Sequence, residues 1–158
     1  MTNDPSSAFV PAPVKATIPH SIVEQIDVRV GRILAVDDVA NSQKLVKLRV
    51  GFGDHERTIL AGMKAERGVD IQKIVGQQAL FVVNLEPRKM AGEMSEGMIF
   101  DLGYPDGILP ALAQPKRELP EGTRAGGRRS HTGREPGSQG SGNALASLAP
   151  APTSDLER

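Results

Sequence analysis

The sequence predicts a small all-β domain, a barrel or a sandwich, set between two tails. Three observations carry that expectation. Ile26, Val28 and Val30 alternate with Asp27 and Arg29, and Val46, Leu48 and Val50 alternate with Lys47 and Arg49. That is the period-two pattern of strands with one buried face. The apolar run Ala79–Leu85 has the composition of a strand buried on both faces. Glycine- and proline-containing turns separate these runs, as strand connections require.

Taken in order, residues 1–20 contain Pro5, Pro11, Pro13 and Pro19 with little pattern, and read as a flexible N-terminal segment. The first strand slips phase at Gly31 before Ile33 and Leu34 resume the apolar run. Such a slip predicts a bulge or sharp coil at the glycine. The second strand is Val46–Val50, and the third is Thr58–Gly62 after the Gly53-Asp54 turn. Val69–Val75, between Gly68 and Gly76, predicts a short helix that plugs one barrel end. Ala79–Leu85 and Glu96–Leu102 are the fourth and fifth strands. Residues 126–143 hold six of the 17 glycines and no large apolar side chain. The sequence is thus expected to form one domain over 21–126 and a disordered tail over 127–158.

Composition narrows the function. The chain has 158 residues and no cysteine, which excludes a disulfide framework and thiol chemistry. Phe9–Val14 is interrupted by Pro11 and Pro13, and no apolar run reaches membrane-helix length. A cytoplasmic protein that does not enter the membrane is expected. Lys and Arg total 19 against 19 Asp and Glu, and residues 21–124 alone carry 14 against 15. No global field steers a polyanion, so RNA affinity must come from a local patch. Aromatics are few: Phe9, Phe52, Phe81, Phe100 and Tyr104. Phe81 and Phe100 fall in apolar strands and are expected in the core. General single-strand binders stack bases on exposed aromatics, whereas readers of folded RNA use backbone and 2′-hydroxyl contacts. His20, His55 and His131 lie far apart, and no metal-ligand spacing, phosphate-binding glycine loop or nucleophile elbow appears. No catalytic residue, metal or cofactor is expected.

Residues 82–99, V-V-N-L-E-P-R-K-M-A-G-E-M-S-E-G-M-I, carry most of the functional information. They predict a hairpin with Arg88 and Lys89 adjacent near its turn. Those cations are either a solvated tip or phosphate contacts, Arg88 as a fork and Lys89 as a point charge. Asn84 either satisfies the strand end or bonds a ligand. Lys47 and Arg49 share the polar face of the second strand, either as a charged, unsticky edge or as a nucleic-acid surface. Arg29 is expected to pair with Asp27, while Arg32 is open.

The pattern N-L-x-P-R-K…G…S-x-G-M-I resembles the signature of the tRNA-binding OB-fold domain family. That domain occurs at the C-terminus of many bacterial methionyl-tRNA synthetases, in free-standing tRNA-binding proteins and, in divergent form, in CsaA-type secretion chaperones. Asp27–Ile33 resembles the family's D-x-R-V-G-x-I, Asn41–Leu45 its N-A-D-K-L, and Thr58–Gly62 its glycine-terminated third strand. The likeness covers about 22–126. Val39-Ala40 stand where the family has His-Pro, and Asp101 stands where a small residue is usual. The resemblance implies a five-stranded OB-fold Greek-key barrel with a short helix and extra C-terminal strands at Gly107–Pro110 and Leu119–Thr123. It implies a non-catalytic protein that reads folded tRNA through Asn84, Arg88, Lys89, Ser95 and Met98, with Lys47, Arg49 and Arg32 alongside. By residue type alone, Ser95 is a turn cap and Met98 is core. Free-standing members are homodimers built with the segment equivalent to Ile22–Ile26. The alternative the resemblance leaves open is a CsaA-type chaperone binding unfolded preprotein segments.

Overall fold

The computed structural model describes residues 9–64 and 68–127. The tail expected over 127–158 lies, from residue 128 onward, outside the described residues. Residues 9–19 carry no helix or strand and are exposed. A short helix α1 (His20–Glu24) leads into β1 (Val28–Asp38), β2 (Val46–Gly51) and β3 (Glu56–Ala61). A 3-10 helix (Gly68–Ile74) precedes β4 (Gln78–Val82). Then come β5 (Arg88–Met90), β6 (Glu93–Ser95), β7 (Met98–Ile99), β8 (Asp101–Leu102), β9 (Ala111–Leu112) and β10 (Arg124–Ala125). Among the described residues no helix is long and apolar enough to cross a membrane.

The main sheet runs β3-β2-β1-β4-β7, antiparallel throughout, with β10 also on β1. Its long first strand lets two halves share it: 28–32 pair with β4, and 32–38 with β2. The edges then meet. Glu96 N–H donates to Thr58 O at 2.8 Å and Leu60 N–H to Ser95 Oγ at 3.0 Å, joining β3 to the chain just before β7. The sheet is thereby nearly closed into a five-stranded barrel. Ile33, Leu48, Val50, Ile59 and Phe81 are fully buried inside it. Phe52 packs edge-on to Phe81 with ring centres 5.6 Å apart.

The expected bulge sits elsewhere. The β1–β2 register shifts between Ile33 and Ala35, not at Gly31. Gly31 is a site of close packing, where an added Cβ would lie 2.6 Å from Val50 Cγ1 and 2.7 Å from Phe52. The plug is a 3-10 helix held by Gln72 Nε2 donating to Val36 O at 2.9 Å, with Ile74 buried. The single fifth strand is split. β7 pairs with β4, and Phe100 N–H still reaches Leu80 O, but Leu80 N–H goes to Ala113 O. The chain peels away as β8, which pairs with β9, before Gly103 turns it at φ 101°. The extra strands begin after the expected segments, at Ala111 and Arg124. Pro110 and Pro120 lie within those segments and cannot donate to a ladder. Phe81 is core as expected, and Phe100 is only half-buried.

Candidate nucleic-acid interface

The hairpin β5–β6 pairs Arg88 with Ser95, Lys89 with Met94 and Met90 with Glu93. Ala91 and Gly92 form its turn, with φ 49° and 83°. Two positive values are what a tight right-twisted hairpin demands, and alanine accepts one of them at a strain of about 1 kcal/mol. Successive strand residues face opposite sides, so Arg88 and Lys89 place charge on both faces of the ribbon. Both are exposed, and neither side chain has an ion pair or hydrogen bond among the described residues. The base of the hairpin is fixed by Ser95. It is 3 % exposed, accepts from Leu60 N–H and donates to Gly97 O at 3.1 Å. Ser95 therefore anchors the hairpin and closes the barrel, and its hydroxyl is not presented to a ligand as the resemblance implied.

The cations of β2 are in a different state. Lys47 Nζ lies 3.1 Å from Glu93 Oε1, and Arg49 Nε lies 3.2 Å from Glu56 Oε1. Asp37 stands opposite Lys47 across the β1–β2 ladder. A groove of about 410 Å³ opens here, with Asp37, Glu93 and Glu96 beside Lys47 and Arg49, and Thr58 and Met94 in its lining. Its charge is mixed, not cationic.

Asn84 accepts from Asp27 N–H at 2.8 Å and donates from Nδ2 to Gln25 O at 2.7 Å, tying the approach to β1 against the end of β4. Its amide satisfies chain ends. Met98 is 44 % exposed, which places it on the surface beside the hairpin and not in the core. Arg32 is fully engaged, donating to Glu121 Oε2 at 2.6 Å, to Glu118 and to Gly76 O at 2.8 Å. The hydrogen bond to Glu118, and then that to Glu121, raises the Arg32 pKa. The same Arg32 bond holds the Glu118 carboxyl below its usual range. The Arg29–Asp27 pair forms at 2.8 Å, and the Arg29 hydrogen bond lowers the Asp27 carboxyl. Thus Arg88, Lys89 and Met98 are available, Lys47 and Arg49 are paired, and Asn84, Ser95 and Arg32 are committed within the fold.

Two contributors are not evident from the sequence pattern. Arg57 donates to Val83 O at 2.6 Å and Glu96 O at 3.1 Å, bracing both sides of the hairpin's root. Starting β3 at Thr58 leaves Arg57 outside the strand, whereas β3 begins at Glu56. Glu93, the partner of Lys47, stands within the same signature stretch. Among the described residues no group of three His, Cys, Asp or Glu side chains could hold a metal ion.

Comparison with known proteins bears on this geometry. Residues 28–124 match the family described as "Putative tRNA binding domain". A methionine–tRNA ligase of Methanococcus maripaludis is 36% identical over 99 residues, 63% of this chain and 14% of that enzyme. The enzyme of Chlorobium chlorochromatii is 38% identical over 104 residues, 66% of this chain and 14% of its own length. The chain spans only that small share of these curated relatives. A MetRS-related protein from Pyrococcus horikoshii superposes with TM-score 0.64 at 30% identity, covering 70% of this chain and 99% of that one. The chaperone CsaA from Bacillus anthracis superposes with TM-score 0.60 at 27% identity, covering 70% and 100%. With its OB-type barrel and a match that runs from β1 to β10, the chain belongs to this tRNA-binding domain family.

Proposed function

We propose that this protein is a non-catalytic tRNA-binding module that works in the cytoplasm and reads the folded shape of tRNA with the β5–β6 hairpin. The observation that carries the reading is the uncommitted Arg88–Lys89 pair on a hairpin whose base is locked by Ser95 and Arg57. Two phosphate-directed cations on a rigid ribbon give position-dependent contact with an RNA backbone, which is how shape is read without base recognition. Filter binding tests it. Folded tRNA should outcompete an unstructured oligonucleotide of equal length, because equal phosphate number removes the plain charge effect. Equal competition by the two would overturn shape reading.

A homodimer is part of this proposal. Ile22, Val23 and Ile26 on one segment, and Leu102, Tyr104, Ile108 and Leu109 on another, are each at least 42% exposed. Such apolar surface on a small barrel is best covered by a second copy, which would offer two hairpins by symmetry. Sedimentation at micromolar concentration should give about twice the 16.8 kDa chain mass. The chaperone reading has one observation in its favour: Leu85, Met94 and Met98 are exposed near the hairpin, and flexible methionine surfaces suit varied apolar segments. Binding of an unfolded peptide with no preference for tRNA would move the assignment there.

A further inference from the structure

A second cationic locus lies at the opposite end of β4 from the hairpin. The loop 114–119 is fastened at both ends. Gln114 Nε2 donates to Gln77 Oε1 at 2.8 Å and to Gln78 O at 3.1 Å. The Gln78 side chain, 4% exposed, donates to Leu119 O at 2.6 Å and accepts from Leu119 N–H at 3.1 Å. Between this loop and Gly76–Gln78 runs a groove of about 270 Å³. Arg32 braces both walls, since it holds Gly76 O on one side and Glu118 on the other. Glu118 is thereby paired, although Arg32 shares its single charge between Glu118 and Glu121, which leaves one net negative charge in that trio. What remains are Lys116 and Arg117, exposed and without an ion pair or hydrogen bond among the described residues.

We propose that the Lys116–Arg117 loop is a second phosphate-binding locus, taking the RNA backbone at a point distant from the hairpin. The inference rests on the tRNA-binding reading. Its chemistry is that of uncommitted cations on a preorganised wall, one of them able to hold a phosphate with a fork. A rigid loop loses little freedom on binding, so more of each contact appears as affinity. β4 lies between the two loci, and its four strand steps from Gln78 to Val82 span roughly 13 Å at the usual strand rise. A ligand engaging both loci must be at least that long and hold its backbone in a fixed path, as a folded RNA does and a small phosphorylated molecule does not. Arg32 acts here as a positioning residue, setting the groove without touching the ligand.

The test uses the full chain and bulk tRNA at several salt concentrations. K116A/R117A should weaken binding several-fold and flatten the salt slope by roughly one unit per lost contact. The same variant should bind a dinucleotide, too short to bridge the loci, within about twofold of the parent, as expected for a ligand held mainly at the hairpin. Unchanged affinity and slope for tRNA would overturn the inference while leaving the hairpin reading intact if R88A/K89A still loses slope. A parent that does not bind tRNA would sink the functional reading itself. Calorimetric binding of inorganic phosphate that is lost in K116A/R117A, with tRNA binding unaltered, would assign the groove to small phosphates and overturn the RNA assignment.

Discussion

The hairpin strand β5 and the strand β2 carry the same kinds of charge in different states. Arg88 and Lys89 are exposed and unpartnered among the described residues, whereas Lys47 meets Glu93 and Arg49 meets Glu56. The difference is one of availability. A phosphate approaching Arg88 and Lys89 meets cations that no described carboxylate has paired. One approaching Lys47 must displace Glu93, and the displaced carboxylate stays nearby. Breaking an exposed pair costs only about 0–1 kcal/mol, so the larger penalty is the repulsion left behind. Cation count on a strand is therefore a poor guide to an RNA surface, and the carboxylates within reach have to be counted too.

The sharpest test of that contrast is a pair of double variants. R88A/K89A should weaken tRNA binding by about tenfold or more near 0.1 M salt and flatten the salt slope by roughly two units. K47A/R49A should change the slope by less than half as much, since those charges are partly neutralised before RNA arrives. Equal slope changes would erase the distinction between the two regions and make the β2 face a full phosphate track.

Much of this is legible in the sequence, and the limits have a physical cause. Alternation locates β1 and β2, and Gly92 with the adjacent cations locates the hairpin, because strand period and turn chemistry are local properties. Charge pairing is not local. Lys47 and Glu93 are 46 residues apart, and Arg32 lies 86 and 89 residues from Glu118 and Glu121. Only the closed barrel brings them together, so Arg32 looks free in the sequence when it is a brace. Ser95 misleads in the same way. Its role depends on Leu60, 35 residues away across the barrel seam, which no local pattern reveals. Arg88 and Lys89 are read more directly because neither side chain makes an ion pair with another described residue.

A smaller effect of opposite sign should follow from E93Q. Removing that carboxylate releases Lys47 without shortening the hairpin side chain. Affinity for tRNA should rise by up to a few-fold and the salt slope should steepen by up to about one unit, the value of one recovered phosphate contact. Thermal stability should change by about 1 kcal/mol at most, as for other exposed pairs. Weaker binding in E93Q would mean that Glu93 serves the interface by holding the hairpin against β2, and the idea of a competing carboxylate would fail.

The smallest effect on binding is expected of Ser95, although its replacement should cost more stability than E93Q does. In Ser95→Ala the buried Leu60 N–H loses its acceptor and Gly97 O loses a donor. An unsatisfied buried N–H costs about 1–3 kcal/mol, which chemical denaturation would register as a lower midpoint at an unchanged denaturant slope. No charge is removed and the hydroxyl does not face solvent. Protein that is still folded should therefore bind tRNA with the parent's salt slope and nearly its affinity. The two measurements separate a residue that builds the site from one that touches RNA. A lower affinity at full stability would place Ser95 on the interface after all, and with it the region where the barrel closes.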